Sequence, residues 1–203
     1  MVDLAMIQVV LLSGLWMVYL ARRFSVEDAV SFFVLNGIFP GICDSIIYFC
    51  LRTYEYPGRG WQWVICYITF GWMSVAATCL FLAEGIVTRG TAKLLATPSW
   101  RIPLLAACIG LTFDLLLDPV ADAVRLWTWS FRGGSPFHGV PMTNFLAWFL
   151  LLFKGTWLWM NLLRRPPPQR LALSLKWLIP SVLLFWPVMT ILGLLCGDVL
   201  IWR

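Results

Sequence analysis

A chain of 203 residues that is 61% hydrophobic and 12% charged, with a mean hydropathy of +0.82, lies outside the soluble globular range of about a quarter charged and half apolar. The net charge is +5, but the basic residues occupy short connections between apolar runs, where orientation charges belong, so no nucleic-acid partner is expected. The six cysteines (Cys43, Cys50, Cys66, Cys79, Cys108 and Cys196) form no CxxC pair and read as small buried hydrophobes rather than as a disulfide or metal-ligand set.

A membrane-crossing helix needs about 20 mainly apolar residues. On that measure the sequence predicts six, over residues 2–20, 29–51, 61–83, 102–126, 140–163 and 171–196. The expected fold class is all-α: a polytopic helical membrane protein with six transmembrane helices in one bundle. Residues 1–203 are expected to form a single integral membrane domain. The first run ends in Arg22-Arg23 without a small-residue cleavage site, so it reads as a retained helix. Asn36, Gly37, Pro40, Gly41 and Asp44 interrupt the second run, and Pro180 and Pro187 are expected to break the sixth. Pro166-Pro167-Pro168 reads as a stiff connector.

Helix count fixes which connections share a side. Arg22, Arg23, Arg89, Lys93, Arg101, Arg164, Arg165 and Arg170 fall on one side, and Arg52, Arg59, Arg125, Arg132 and Arg203 on the other. The positive-inside rule then places both termini outside and the connection between helices five and six in the cytoplasm. The same count brings residues 52–60 to the membrane side that holds the loop 127–139, the end of helix four and the start of helix five.

That side holds the residues able to carry chemistry. Asp114, Asp118 and Asp122 recur at a spacing of four, which puts them on one helix face. Carboxylates inside a spanning run are costly and mark function. Pro119 crowds the carbonyl near Leu115 and is expected to kink the helix or free a backbone acceptor. Two carboxyls in reach of one another in low dielectric offer an acid beside a carboxylate, an acid/base couple. The plainer alternatives are pairing with Arg125 or Arg132, or a hydrogen bond from Asn144 or an indole. Asp44 is a fourth acidic candidate. Trp127 and Trp129 suit either the interfacial aromatic belt or a pocket wall that stabilises a cation. His138 reads as a loop residue, and Asn144 as a group that orients a carboxylate or a water. Tyr54, Glu55 and Tyr56 can close a pocket from the other connection. The chain has no phosphate loop, nucleophile elbow, HExxH, CxxCH or dinucleotide fingerprint, so no cofactor and no metal are expected.

Residues 113–148 carry DxxxDP as Asp114 and Asp118-Pro119, then a WxW at Trp127 and Trp129. They also carry GVPxxNFxxW as Gly139-Val140-Pro141, Asn144-Phe145 and Trp148. This stretch resembles the membrane carotenoid-biosynthesis family that includes the bisanhydrobacterioruberin and gamma-carotene hydratases. Upstream, the family shows ExxG and then TGxPFGxYxY, of which this chain keeps only Tyr54-Glu55-Tyr56-Pro57. The resemblance implies cofactor-independent addition of water to the terminal double bond of an acyclic carotenoid end. Asp114 and Asp118 would be the acid/base pair, with Asn144 positioning water. Trp127, Trp129, Tyr54, Tyr56, Asp44 and Trp148 would line the substrate. The implied partners are a carotenoid or other long isoprenoid, the lipid bilayer and other membrane pigment proteins. The implied location is a bacterial or archaeal cytoplasmic membrane.

Other readings stay open on sequence. The altered upstream motif and 13 tryptophans suit a non-catalytic carotenoid- or pigment-binding subunit of the same fold. Aspartates four apart also suit a Mg²⁺-dependent isoprenoid-diphosphate enzyme, although few cations are at hand. A transporter with a carboxylate relay lacks a visible inverted repeat.

Overall fold

Among the described residues six helices are long and apolar enough to cross a membrane: α1 (Leu4–Arg23), α2 (Val26–Leu51), α3 (Trp61–Thr88), α4 (Arg101–Ala123), α5 (Met142–Leu162) and α6 (Pro167–Cys196). The computed structural model describes residues 3–89, 94, 100–130 and 137–197. The expected orientation charges Lys93, Arg132 and Arg203 fall outside them.

The interruptions expected in α2 leave the helix unbroken and change its pitch instead. Val34–Ile38 and Ile47–Leu51 are π-helical, and Phe39–Ile46 between them is α-helical. The Phe39 amide reaches back five residues to the Val34 carbonyl, just before Pro40, which has no N–H to donate. Each π turn inserts one residue and so rotates the remainder of the helix by roughly 100°. Two such turns bracket Asp44.

The expected break in α6 is also absent, since Pro180 and Pro187 both lie inside one helix. Spanning helices tolerate proline because neighbouring groups satisfy the freed carbonyls. Pro167 and Pro168 belong to the first turn of α6 rather than to a connector, where a missing N–H costs nothing. By contrast α4 stops before the expected 126, at Ala123. Arg125 turns left-handed at φ 57°, and Leu126 N–H closes back on the Ala121 carbonyl at 2.8 Å.

Small residues set the helix spacing, as membrane interfaces favour. A Cβ on Gly41 would stand 2.8 Å from Thr69 Oγ1 of α3, and one on Gly155 of α5 only 2.6 Å from Asn36 Oδ1 of α2. α1 packs on α3 through a polar clasp: Ser13 Oγ lies 2.7 Å from Ser74 Oγ, and the Trp16 indole donates to Thr78 Oγ1 at 3.1 Å. On the side of the α1–α2 and α5–α6 connections, two expected orientation charges are paired within the protein. Arg23 forks onto Glu84 at 2.8 and 2.7 Å, and Arg170 donates to both Asp28 oxygens at 3.0 and 2.8 Å.

At the opposite side the two long connections meet as expected. β1 (Tyr54–Glu55) pairs antiparallel with β2 (Thr128–Trp129), with Tyr54 opposite Trp129. Ser130 N–H extends the ladder to the Thr53 carbonyl at 2.8 Å. Arg59 ties the same connection to the α1 N-cap, Asp3, at 2.6 Å.

Candidate functional site: a lateral groove ending in carboxyl groups

A cavity of ≈ 790 Å³ runs between α1, α3 and α4. Its floor is one face of α3, where Ile68, Trp72, Val75, Cys79 and Leu82 recur at helical spacing. From Ile68 to Leu82 the groove covers roughly 21 Å at 1.5 Å per residue. Its rim is apolar and turned outward: Leu15 of α1 is 68% exposed, Leu82 of α3 53% and Phe113 of α4 47%. Large exposed apolar side chains on spanning helices face lipid, so the groove opens sideways into the bilayer.

The inner end is polar and aromatic. Asp44, Tyr54, Tyr56, Asp118, Trp127, Trp129, Asn144 and Trp148 all line it. The structure thus brings eight of the nine residues expected at the site to one wall. The ninth, Asp114, is fully buried behind it. The Asn144 amide links the two α4 carboxyls, donating to Asp118 Oδ2 at 2.6 Å and Asp114 Oδ2 at 3.0 Å. Asp114 Oδ1 is buried without a partner. Asn144 reaches both because it lies in the first turn of α5, the helix that packs closely along α4. Asp118 alone of the two faces the groove.

Asp44 faces the groove from α2. Its Oδ1 accepts from the Tyr54 hydroxyl at 2.6 Å and its Oδ2 from the Trp72 indole at 2.9 Å. Burial first, and the Asp44 carboxylate second, push the Tyr54 hydroxyl well above its ordinary range. Burial and Asp44 act on Tyr56 in the same way. Both phenols therefore remain protonated donors at neutral pH.

Asp122 has a structural task. Its Oδ1 accepts from Trp129 N–H at 3.2 Å and its carbonyl from Arg125 N–H at 3.0 Å, which fixes the turn that leads into β2. Glu55 alternates outward on its strand and is exposed, so it does not close the pocket. His138 sits in the left-handed region at φ 47° and packs edge-on to Phe137, away from the cavity lining.

The aromatic wall is built from paired rings. Tyr54 stands 5.1 Å from Trp129, Tyr56 lies 5.9 Å from Trp127, and Trp72 stands 4.6 Å from Trp148, all between ring centroids. Sequence reasoning missed Trp72, Tyr67 and the lipid-facing part of α1. Trp72 lies four residues from Ile68 and Tyr67 four from Gly71 on the α3 face, a helical spacing that shows once the groove floor is known. Nothing in the sequence of α1 marks it as a wall. Among the described residues the cavity lining contains no Lys or Arg.

Comparison with curated proteins and with solved structures yields no match. A sequence profile described as carotenoid biosynthesis protein matches residues 61–201, more than half of the chain. The match takes in the aspartate-bearing α4, the WxW turn and α5, and the chain belongs to the carotenoid biosynthesis protein family.

Proposed function

We propose that this carotenoid-pathway membrane protein is a cofactor-independent hydratase acting on an acyclic carotenoid end. The observation that carries the reading is Asp118, held by Asn144, at the inner end of an apolar groove open to the bilayer. A long polyene dissolved in lipid slides in sideways and presents its terminal alkene to the carboxyl groups. Asp118, with Asp114 linked to it through Asn144, delivers a proton to the alkene as general acid. The resulting tertiary cation is shielded by Trp127, Trp129, Tyr54 and Tyr56, whose ring faces attract positive charge. A water beside Asp44 captures the cation and passes its proton to that carboxylate.

Among the described residues the lining offers a diphosphate no Lys or Arg, so the apolar groove supports the hydratase reading more directly than the Mg²⁺-dependent one. A purely pigment-binding role shares the same groove, and the product distinguishes the two. The chain is expressed in a host that makes an acyclic carotenoid, and the pigments are analysed. Hydrated product supports the enzyme, whereas unaltered pigment that co-purifies with the chain supports the binder and overturns it. In this reading the termini lie outside, in a bacterial or archaeal cytoplasmic membrane.

A further inference from the structure

A second cavity, of ≈ 50 Å³, lies behind the inner end of the groove. Asp44, Tyr54, Trp129 and Asn144 line both spaces and so form a partition between them. The remaining walls include Thr53 after α2, Pro141 and Ala147 at the start of α5, and Trp186 of α6. Thr53 Oγ1, Trp129 Nε1 and Trp186 Nε1 are buried with no protein partner. Buried polar groups are nearly always satisfied, and each one left without a partner costs about 1–3 kcal/mol. Three of them around one small space call for a small ligand that both accepts and donates. A bound water needs roughly 10–15 Å³ and two to four polar partners, and this space offers room for more than one.

We infer that this cavity is a water chamber that supplies the nucleophile of the hydration, separate from the route of the alkene. The inference rests on the hydratase reading. The two indoles donate to the water oxygen, while Asp44 accepts a water proton and aims the oxygen through the partition. Thr53 follows the end of α2 and Pro141 caps the start of α5, so in this inference the chamber refills from the aqueous end of the helices while the polyene arrives from lipid. In the step, the Asp118 proton adds to the terminal alkene carbon and the π bond breaks. The chamber water forms the C–O bond to the tertiary cation, and one of its protons passes to Asp44. That proton returns to Asp118 through water between turnovers, so alkene plus water gives tertiary alcohol with both carboxyls restored.

The test uses the full chain in lipid nanodiscs with an acyclic carotenoid in D₂O buffer. Trp186→Phe and Thr53→Val each remove one polar group from the chamber while nearly keeping its shape. Each is expected to lower kcat for the alcohol at least tenfold with KM for the carotenoid unchanged. Deuterium should still wash into recovered alkene, because the cation forms and then collapses by proton loss. A high-resolution map of the wild-type protein should show ordered water within hydrogen-bond reach of Thr53 Oγ1 and the two indoles. Wild-type turnover with unchanged kcat in both variants, or a chamber without water density, overturns the chamber alone. A wild-type protein that forms no alcohol overturns the hydratase reading and the supply role with it.

Discussion

Trp72 of α3 donates its indole N–H to Asp44 of α2 at 2.9 Å, across 28 residues of sequence. One bond therefore fixes the aim of a carboxylate that borders both cavities. Trp72→Phe keeps the ring against Trp148 and removes the donor. The expected loss is about 1–3 kcal/mol, the usual cost of leaving a buried acceptor without its partner. Thermal unfolding in detergent reads it, and Tyr54→Phe, which strips the other Asp44 oxygen, should match it.

Asp118→Asn should abolish alcohol formation, by about 10²–10⁴-fold if the carboxyl is a general acid. Asp114→Asn should also lower it, through the shared Asn144. Both are read by pigment analysis alongside protein yield. Full activity in both variants would exclude acid catalysis by this pair.

Gly71 offers a test of the groove that spares the fold. It lines the cavity, and a Cβ placed there meets nothing within 4 Å. Gly71→Phe should fold about as well as wild type, since the Cβ has open space and a helical glycine costs about 1 kcal/mol against alanine. Pigment retention and product should fall together while the melting temperature holds.

The pair of half-buried Arg170 with buried Asp28 makes a prediction about stability alone. Asp28 is 2% exposed and accepts two bonds from Arg170. Arg170→Ala leaves that carboxylate uncompensated and should cost about 3–5 kcal/mol. Adding Asp28→Asn should recover part of the loss, as a double-mutant cycle in detergent will show, with the groove unaffected.

The sequence made the six spans legible because lipid leaves so few alternatives: backbone groups must be satisfied within each segment. That the connections carrying Tyr54 and Trp129 share a side was legible too, since an odd or even helix count decides it; their strand pairing was not. Asp114, Asp118 and Asn144 stood out as polar groups in apolar runs. The rest was hidden for physical reasons. Trp72 looks like any aromatic on a buried face until its indole is seen to find a carboxylate. Pro180 and Pro187 looked like breaks because soluble-helix rules count lost bonds that neighbouring groups in a membrane restore. The wall formed by α1 depends on where it docks, and Ser13 and Trp16 gain meaning only beside Ser74 and Thr78. The family profile begins at Trp61, so it leaves out Asp44, Tyr54 and Tyr56, which the structure places in the cavity lining beside Asp118.

The π turn at Val34–Ile38 also counts residues. Removing one residue there restores an ordinary α pitch and swings everything beyond it by roughly 100°, turning Asp44 away from Trp72 while every side chain keeps its chemical identity. The direction of this carboxylate is thus encoded in the length of a segment as much as in its composition. Substitutions there would report on packing, since Val34, Leu35, Asn36 and Gly37 are buried; a single-residue deletion would expose the direction.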